Sequence, residues 1–484
     1  MTDSISYLQG ETHARHVVVV GGGITGLSAA WYLRQAGFTV TVLESSSRWG
    51  GKIHTEVVDI DEGRTFVVEA GPDSFIAQKP WATQLARDLG LADDLLGTND
   101  HQRRIFVLRH GKLTPLPDGL LLIVPTRFMP FALSPLISLP GKFRMALESF
   151  IPVRQGDEDE TLGDFVRRRL GREALDRLAE PLMSGIYNTD PDEQSLLATF
   201  PRFRTLELEY GSLTRGMLAS RRVGRPPSSV NGEPASMFIS FRQGMQVLVD
   251  ALVAQLDGSL RLEAPVKRIE RHGQSYRVHL DDSEILDTDG VLMTTPAPTT
   301  ATLLHAIAPE AAQHLRAMTY VSTGTVSLAY RAESVQHLPD SFGVVIPRSE
   351  GRSINAVTNS SAKFDHRAPP GYSLLRVFFG GRRSPQTLSL PDDDIVRVVQ
   401  EELKAIYGIN DAPVFTRIYR WQQATPQYAP GHLNKVAEIE ASLPEGLYVA
   451  GGAFRGIGVP DCVHQAQQVV ERLLKPEERG EALV

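Results

Sequence analysis

Cysteine is nearly absent: Cys462 stands alone among 484 residues. A single thiol forms no internal disulfide, no Cys-rich zinc site and no ferredoxin-type iron–sulfur cluster. That usage fits a reducing compartment, so a cytoplasmic protein is the expectation. Metal-ligand spacing is missing too. None of the thirteen histidines stands in H-E-x-x-H or a comparable pattern, and each reads as surface or satisfied core. No serine lies in G-x-S-x-G, and the Gly-Lys pairs at Lys52, Lys112 and Lys142 are followed by Ile, Leu and Phe. A nucleophile elbow and a phosphoryl-transfer loop are thereby excluded. Excess positive charge is lacking as well: 50 Lys plus Arg against 57 Asp plus Glu give a net charge of -7. This argues against general nucleic-acid binding and requires any anionic ligand to be held by local cations. The last absence is a long apolar run. The greasiest stretch, residues 119–141, is interrupted by Pro125, Pro130, Pro135 and Pro140 and carries Arg127, so it does not supply the ~20 apolar residues of a membrane span. It reads as a core segment or channel wall, or, if exposed, as a surface in peripheral contact with a membrane. The first fifteen residues lack a cationic start followed by an apolar segment, and no cleaved secretory signal is expected.

What is present is ordinary globular composition, 42% hydrophobic and 22% charged, enough for a large core in a chain of about three domain-lengths. The β-branched run of residues 17–20 reads as a buried parallel strand, residues 21–26 as a glycine turn, 27–36 as a helix ended by Gly37, and 39–43 as the next strand. From about residue 80 to 220 the pattern is helical and arginine-rich, as in TLGDFVRRRLGREALDRLAEPLMSGIY, with Thr161 as cap and Asp164 in the first turn. Arg167, Arg168, Arg169, Arg172, Arg177, Arg221 and Arg222 are spaced to point around the helices, and most are expected on solvated faces. A loop rich in Pro, Ser and Gly at 224–234 precedes strand-like alternation at 275–280 and 291–294. Residues 447–474 repeat the pattern of strand, glycine turn and helix, with Asp461 able to cap the helix. Residues 476–484 read as a frayed tail.

The chemistry begins with Gly21, Gly22, Gly23, Ile24, Thr25 and Gly26, whose glycines match G-x-G-x-x-G. That pattern alone is weak in a glycine-rich chain; here it follows a strand and opens a helix. Glu44 ends the second strand, 18 residues after Gly26, where a carboxylate accepts hydrogen bonds from a ribose. The glycines let backbone approach a pyrophosphate lying on the positive helix end. Downstream, Arg48, Gly50, Gly51 and Lys52 form a second glycine turn flanked by cations, which a nicotinamide-binding fold does not need.

Residues 17–55 resemble the FAD-binding start of the flavin amine oxidase and phytoene desaturase superfamily. A narrower likeness is carried by VEAGPDSFIAQK, by WQQATPQYAPGH at 421–432 and by LYVAGGAFRGIGVPDC at 447–462. Together they resemble the flavin-dependent porphyrinogen oxidases of haem synthesis, in the family's order and through nearly the whole chain. The block GPDS followed by Lys79 is closer to the bacterial coproporphyrinogen-oxidising branch than to the protoporphyrinogen oxidases.

This resemblance implies an α/β fold: a Rossmann-like FAD domain assembled from residues 15–85, 235–300 and 431–475, a helical insertion at 86–220 and a mixed-sheet substrate domain at 301–430. It implies non-covalent FAD, since Cys462 lies just inside a helix and outside any flavin-attachment motif. The cofactor contacts it implies are Gly21 to Gly26, Glu44, Arg48, Gly51 and Lys52, with Gly71, Pro72, Asp73 and Ser74 near the ring and Val266 at the adenine end. Trp421, Gly451, Ile457, Gly458 and Val459 would close over the flavin. The last glycine turn also aims backbone N–H groups and a helix dipole at the ring. No dedicated catalytic acid or base is implied. The expected reaction is the oxygen-dependent six-electron oxidation of a porphyrinogen to a porphyrin, yielding hydrogen peroxide. Coproporphyrinogen III is favoured and protoporphyrinogen IX remains plausible. Lys79 and Arg104 are the candidate cations for the substrate propionates. The alternatives are another FAD-dependent amine oxidase or carotenoid desaturase, and a non-catalytic binding protein on this fold.

Overall fold

Four consecutive valines, Val17 to Val20, are all buried, as a strand with packed elements on both faces requires. The side chains alternate: Val17 and Val19 enter one core, Val18 and Val20 another. In the computed structural model this strand is the centre of a parallel sheet made of β1 (His16–Val20), β2 (Thr39–Leu43), β3 (Leu260–Arg261), β4 (Gly290–Met293) and β5 (Leu447–Val449). The spatial order is β3-β2-β1-β4-β5. Strands far apart in sequence thus lie side by side, and the class is the α/β arrangement expected. The structure describes residues 15–61, 63–99, 104–121, 123–223, 236–280 and 283–474. The loop read at 224–234, the tail at 476–484 and residues 1–14 of the leading segment lie outside the described residues.

Helices α1 (Ile24–Gln35) and α2 (Val459–Leu474) pack in the same core as Val17 and Val19, through Leu27, Ala30 and Leu33 on α1 and Val463, Ala466 and Val470 on α2. Two end assignments shift. Helix α1 begins at Ile24, three residues before the expected start, because Gly23 serves as its N-cap residue. Asp461 is not the cap of α2. The helix starts at Val459, with Pro460 in the first turn, where a missing N–H costs nothing, and Asp461 follows inside it.

A second sheet has seven strands, in the order Phe415–Pro426, Tyr320–Arg331, Tyr372–Gly380, Ile354–Asn359, Gly343–Val345, Ile105–Arg109, Lys112–Pro115. The last two come from the stretch read as helical; after the helix Trp81–Asp88 and the short turn Ala92–Asp94, the alternating run IFVLR pairs as a strand, and helices resume at Phe128. From there to Val223 the chain is helical around its own apolar core. Thr161 caps as expected, accepting the Asp164 N–H.

Of the arginines of this region, Arg172 is on a solvated face as expected, whereas Arg167, Arg168, Arg169 and Arg177 are half-buried or buried. Arg169 and its partners Glu148 and Glu207 have fully buried side chains. Arg167 pairs with Asp164 and Asp192, Arg168 with Glu160 and Glu207, Arg172 with Asp176 and Arg177 with Glu173. Their close spacing lets one helix reach acids on several neighbours at once. The side chains of Arg221 and Arg222 lie outside the described residues.

Candidate cofactor and substrate site

The first glycine turn is fixed by contacts that exclude side chains. A Cβ on Gly26 would stand 1.9 Å from the Gly21 carbonyl oxygen, and Gly21 itself has φ +114°. Helix α1 then opens with no side chain capping it and no acid in its first turn. Its leading N–H groups are therefore free for an anion, which the helix dipole also favours. At the end of β2, Glu44 accepts the Gly22 and Ser46 N–H groups, each at 2.8 Å. The segment before Val266 runs beside it, with the Ala264 N–H donating to the Glu44 carbonyl at 2.9 Å. The structure therefore brings Gly21 to Gly26, Glu44 and the approach to Val266 together at the carboxyl ends of β1 and β2.

The second turn lies directly on the first. Gly50 donates to the Gly22 carbonyl at 2.8 Å, and a Cβ on Gly51 would meet the Gly23 Cα at 3.2 Å. Arg48 shapes this turn from within, donating to the carbonyls of Gly51 and Ile53. Burial draws its pKa down, opposed by Glu44. Lys52 is drawn down by burial too, and its ammonium donates to the Ala424 carbonyl. Residues 70–74 pack against the far side: a Cβ on Gly71 would stand 1.7 Å from the Lys52 carbonyl oxygen.

Asp73 and Ser74 of that loop are engaged within the protein. Lys363 donates to both Asp73 carboxylate oxygens, at 2.9 and 3.1 Å, and to the Ser74 hydroxyl. Burial pushes the Asp73 carboxyl up, but Lys363 and Arg376 outweigh it and hold it well below the usual carboxylate range. Trp421 bridges two parts of the site: its indole N–H donates to the Ala70 carbonyl at 2.9 Å, and the Arg48 guanidinium lies 5.8 Å from its ring centroid.

The third glycine segment, from Gly451 to Val459, is held by side chains that sequence reasoning left unassigned. The Tyr428 hydroxyl donates to the Gly452 carbonyl at 2.7 Å and accepts the Gly456 N–H at 3.1 Å. His432 Nε2 bonds the Phe454 carbonyl at 2.7 Å, so that nitrogen carries the proton. Gln465 on α2 accepts from Gly451 and Arg455 and donates to Gly456. Both Tyr428 and His432 stand in the quoted TPQYAPGH block, where a buried aromatic pair beside glycines was the available signal. The segment meets the first turn where a Cβ on Gly451 would lie 3.4 Å from Thr25 Oγ1. Ile457, Gly458 and Val459 lead into α2.

Of the two candidate substrate cations, Lys79 is paired with Asp461 at 2.6 and 2.8 Å. This contact ties the loop after Ser74 to the start of α2. Arg104 is exposed immediately before the strand Ile105–Arg109 and is apart from the three glycine segments in the contacts described. Among the described residues there is no group of three or more His, Cys, Asp or Glu placed to hold a metal.

Three glycine turns thus converge with an uncapped helix end and a strand-end carboxylate, backbone donors and one acceptor suited to a dinucleotide. The family described as flavin containing amine oxidoreductase matches residues 24–474. The chain belongs to that family. FAD is accordingly its cofactor, and the cradle just described fits it. The chain is 36% identical over 470 residues to a coproporphyrinogen III oxidase of Bacillus subtilis (strain 168), covering 95% of this chain and 98% of that one. It is 31% identical to a chloroplastic protoporphyrinogen oxidase of Nicotiana tabacum over 480 residues, covering 94% and 85%. Among solved structures, a protein of Exiguobacterium sp. 255-15 assigned to the protoporphyrinogen oxidases superposes with TM-score 0.83 at 33% identity, covering 95% and 99%. A putrescine oxidase superposes with TM-score 0.70 at 15% identity, covering 95% and 98%, a likeness of fold alone.

Proposed function

We propose that this flavoenzyme oxidises a porphyrinogen to a porphyrin in haem biosynthesis, with coproporphyrinogen III preferred. The observation that carries the reading is the full-length likeness to the Bacillus coproporphyrinogen III oxidase, on a chain whose three glycine turns and Glu44 meet in one cradle. The net change removes six hydrogens from the tetrapyrrole in three two-electron steps, and three molecules of oxygen become three of hydrogen peroxide. FAD, held non-covalently, supplies the electron acceptor. The chain's own task is to orient a meso carbon and exclude competing chemistry. In this reading Gly21 to Gly26 and Lys52 hold the diphosphate, Glu44 the ribose and Val266 the adenine side. Arg48 and Gly51 shape the second turn. Gly71, Pro72, Asp73, Ser74, Trp421, Gly451, Ile457, Gly458 and Val459 form the walls around the ring. Arg104 and Lys79 meet the propionates, Lys79 exchanging Asp461 for a substrate carboxylate.

The test offers coproporphyrinogen III and protoporphyrinogen IX at equal concentration under limiting enzyme and follows porphyrin fluorescence. If two extra propionates each contribute about 1 kcal/mol, kcat/KM is roughly tenfold to thirtyfold higher for the four-propionate substrate. A higher value for protoporphyrinogen IX overturns the preference, and no porphyrin from either overturns the reaction.

The reading extends to peripheral membrane contact. Within residues 119–147 the helices Phe128–Leu133 and Leu139–Ala146 bury Phe131 and Met145, and the connection between them buries Leu136 and Ile137. The same helices leave Phe128, Met129, Leu133, Leu139 and Phe143 each at least 61% exposed. Apolar side chains of this number, beside exposed Arg127 and with no acid between residues 119 and 147, suit an anionic lipid surface. No helix among the described residues is long and apolar enough to cross a membrane. Sedimentation with anionic vesicles that Phe143→Glu abolishes supports this contact, and equal sedimentation of both proteins removes it.

A further inference from the structure

Arg376 lies mid-strand in Tyr372–Gly380 with only 4% of its surface exposed. Among the described residues no carboxylate reaches it at ion-pair distance, although Lys363 beside it has Asp73. Instead one guanidinium nitrogen, Nη2, donates to the Ala70 carbonyl at 3.1 Å and to the Gly71 carbonyl at 2.5 Å, while Nε is buried with no partner. The Ala70 carbonyl also receives the Trp421 indole N–H and, at 3.5 Å, the Thr325 hydroxyl. The guanidinium also lies 4.8 Å from the Phe378 ring centroid, but that contact brings no anion, and a buried guanidinium without a paired anion is costly.

The loop it grips is the one whose Gly71 abuts the Lys52 turn. Because a trans peptide sets C=O and N–H in opposite directions, drawing the Ala70 carbonyl toward Arg376 turns the Gly71 N–H away from it. That N–H has no acceptor among the described residues. Resting on the assignment of FAD to this cradle, we propose that Arg376 is a positioning residue for the flavin. It fixes the Ala70–Gly71 peptide so that the Gly71 N–H faces the cofactor, and it keeps an unpaired positive charge behind the loop that favours the electron-rich, reduced cofactor over the oxidised one. Burial draws the guanidinium pKa down, and the largest opposing influences are Asp73 and Glu69. Asp73 is already matched by Lys363, while Glu69 is pushed by burial up to about 7 and bonds the Met245 N–H and Thr55 hydroxyl. The positive charge on Arg376 is therefore not neutralised by either acid.

The experiment measures, for the holoenzyme and for Arg376→Gln and Arg376→Lys, the affinity for oxidised FAD and the two-electron midpoint potential against a reference dye. Arg376→Gln is expected to bind oxidised FAD about tenfold more weakly and the reduced form about a hundredfold more weakly, a potential lower by about 30 mV. Arg376→Lys, which keeps the charge and loses the double carbonyl grip, is expected to weaken oxidised FAD binding while holding the potential near that of the parent. An unchanged potential in Arg376→Gln overturns the electrostatic part, as does an equal fall in both variants, and unchanged FAD affinity in both overturns the positioning part. Should Arg376→Gln not fold, Arg376→Met, which also removes the charge, is measured in its place with the same expected fall and the same overturning outcomes. A parent protein that binds no FAD refutes the cofactor assignment itself and is distinct from each of these outcomes.

Discussion

The parallel sheet and the helical region at 128–223 solve the same packing problem with opposite materials. Around β1 the core is apolar, and the polar groups within it are backbone held by close approach of glycines and a few neutral side chains such as Ser28 and Gln465. In the helical region a ring of charge runs through the interior. Arg169 donates to Glu148 and to the carbonyls of Ile151 and Gly211, and Glu148 also accepts the Leu213 and Thr214 N–H groups at the start of a helix. The apolar core announces itself in sequence because burial and hydrophobicity coincide there. The ionic core does not, because its buried positions carry the residues that usually mark a surface. Buried ion pairs add little net stability when complete and become costly when one partner is removed.

That contrast gives the largest expected effect. Arg169→Met leaves Glu148 and Glu207 buried with one fewer cation, and the loss of unfolding free energy in urea should be about 3–5 kcal/mol. Removing the facing acid as well, in Arg169→Met with Glu148→Leu, should not restore stability, because Leu213 and Thr214 then lose their acceptor. Full recovery in the double variant would show that the helical core tolerates an apolar replacement after all and would erase the distinction between the two regions.

The counterpart in the sheet is Gly26→Ala. The added methyl meets the Gly21 carbonyl oxygen at 1.9 Å, so the turn must open, at a cost of about 1–3 kcal/mol for overpacking. The flavin should suffer more than the fold: expected is a folded protein that purifies colourless, judged by absorbance and by circular dichroism. Flavin occupancy equal to that of the parent would count against the placement of the diphosphate on this turn.

How much could be read in advance follows the same division. The strands at 16–20 and 39–43, the turn between them, Glu44 and the Thr161 cap were legible because each depends on a local rule: β-branched runs, glycine spacing, a strand-end carboxylate, a hydroxyl at a helix start. Lys363 and Arg376 were not. They reach residues 70–74 from 290 and 306 positions away, and nothing in LLRVFFG or SSAK marks a partner at that distance. Asp461 was read as a cap because the rule fits its type, whereas the structure spends its carboxylate on Lys79. In the arginine run the expectation held for Arg172 and not for Arg168 and Arg169: spacing fixes direction around a helix, and neighbours decide whether that direction meets water.

A third effect separates the regions by pH. Burial draws His432 down to about 4, although its bond to the Phe454 carbonyl opposes the shift. The unfolded chain, with an ordinary value near 6.5, takes up a proton that the folded protein refuses until about pH 4. Stability at the C-terminal glycine segment is therefore complete above pH 6.5 and falls as pH drops toward 4, by about 3 kcal/mol if the whole difference is realised. His432→Gln keeps a donor for Phe454 without the titration. The parent-minus-variant difference in unfolding free energy should decline between pH 6.5 and 4, and a constant difference would remove His432 as the cause.

The smallest expected effect tests whether a locally legible feature also carries a local cost inside the ionic region. Thr161 accepts the Asp164 N–H at 2.9 Å at the start of the helix Leu162–Arg169, the helix that presents Arg168 and Arg169 to their acids. Thr161→Ala removes one cap, for about 1 kcal/mol, and Thr161→Ser should keep nearly all of it because the hydroxyl is retained. If the cap acts only on its own turn, Thr161→Ala combined with Arg169→Met should cost the sum of the two within about 0.5 kcal/mol. A larger combined loss would mean that fraying at Thr161 propagates seven or eight residues to the buried guanidinium. The ionic core would then depend on the helix end as much as on its own pairing.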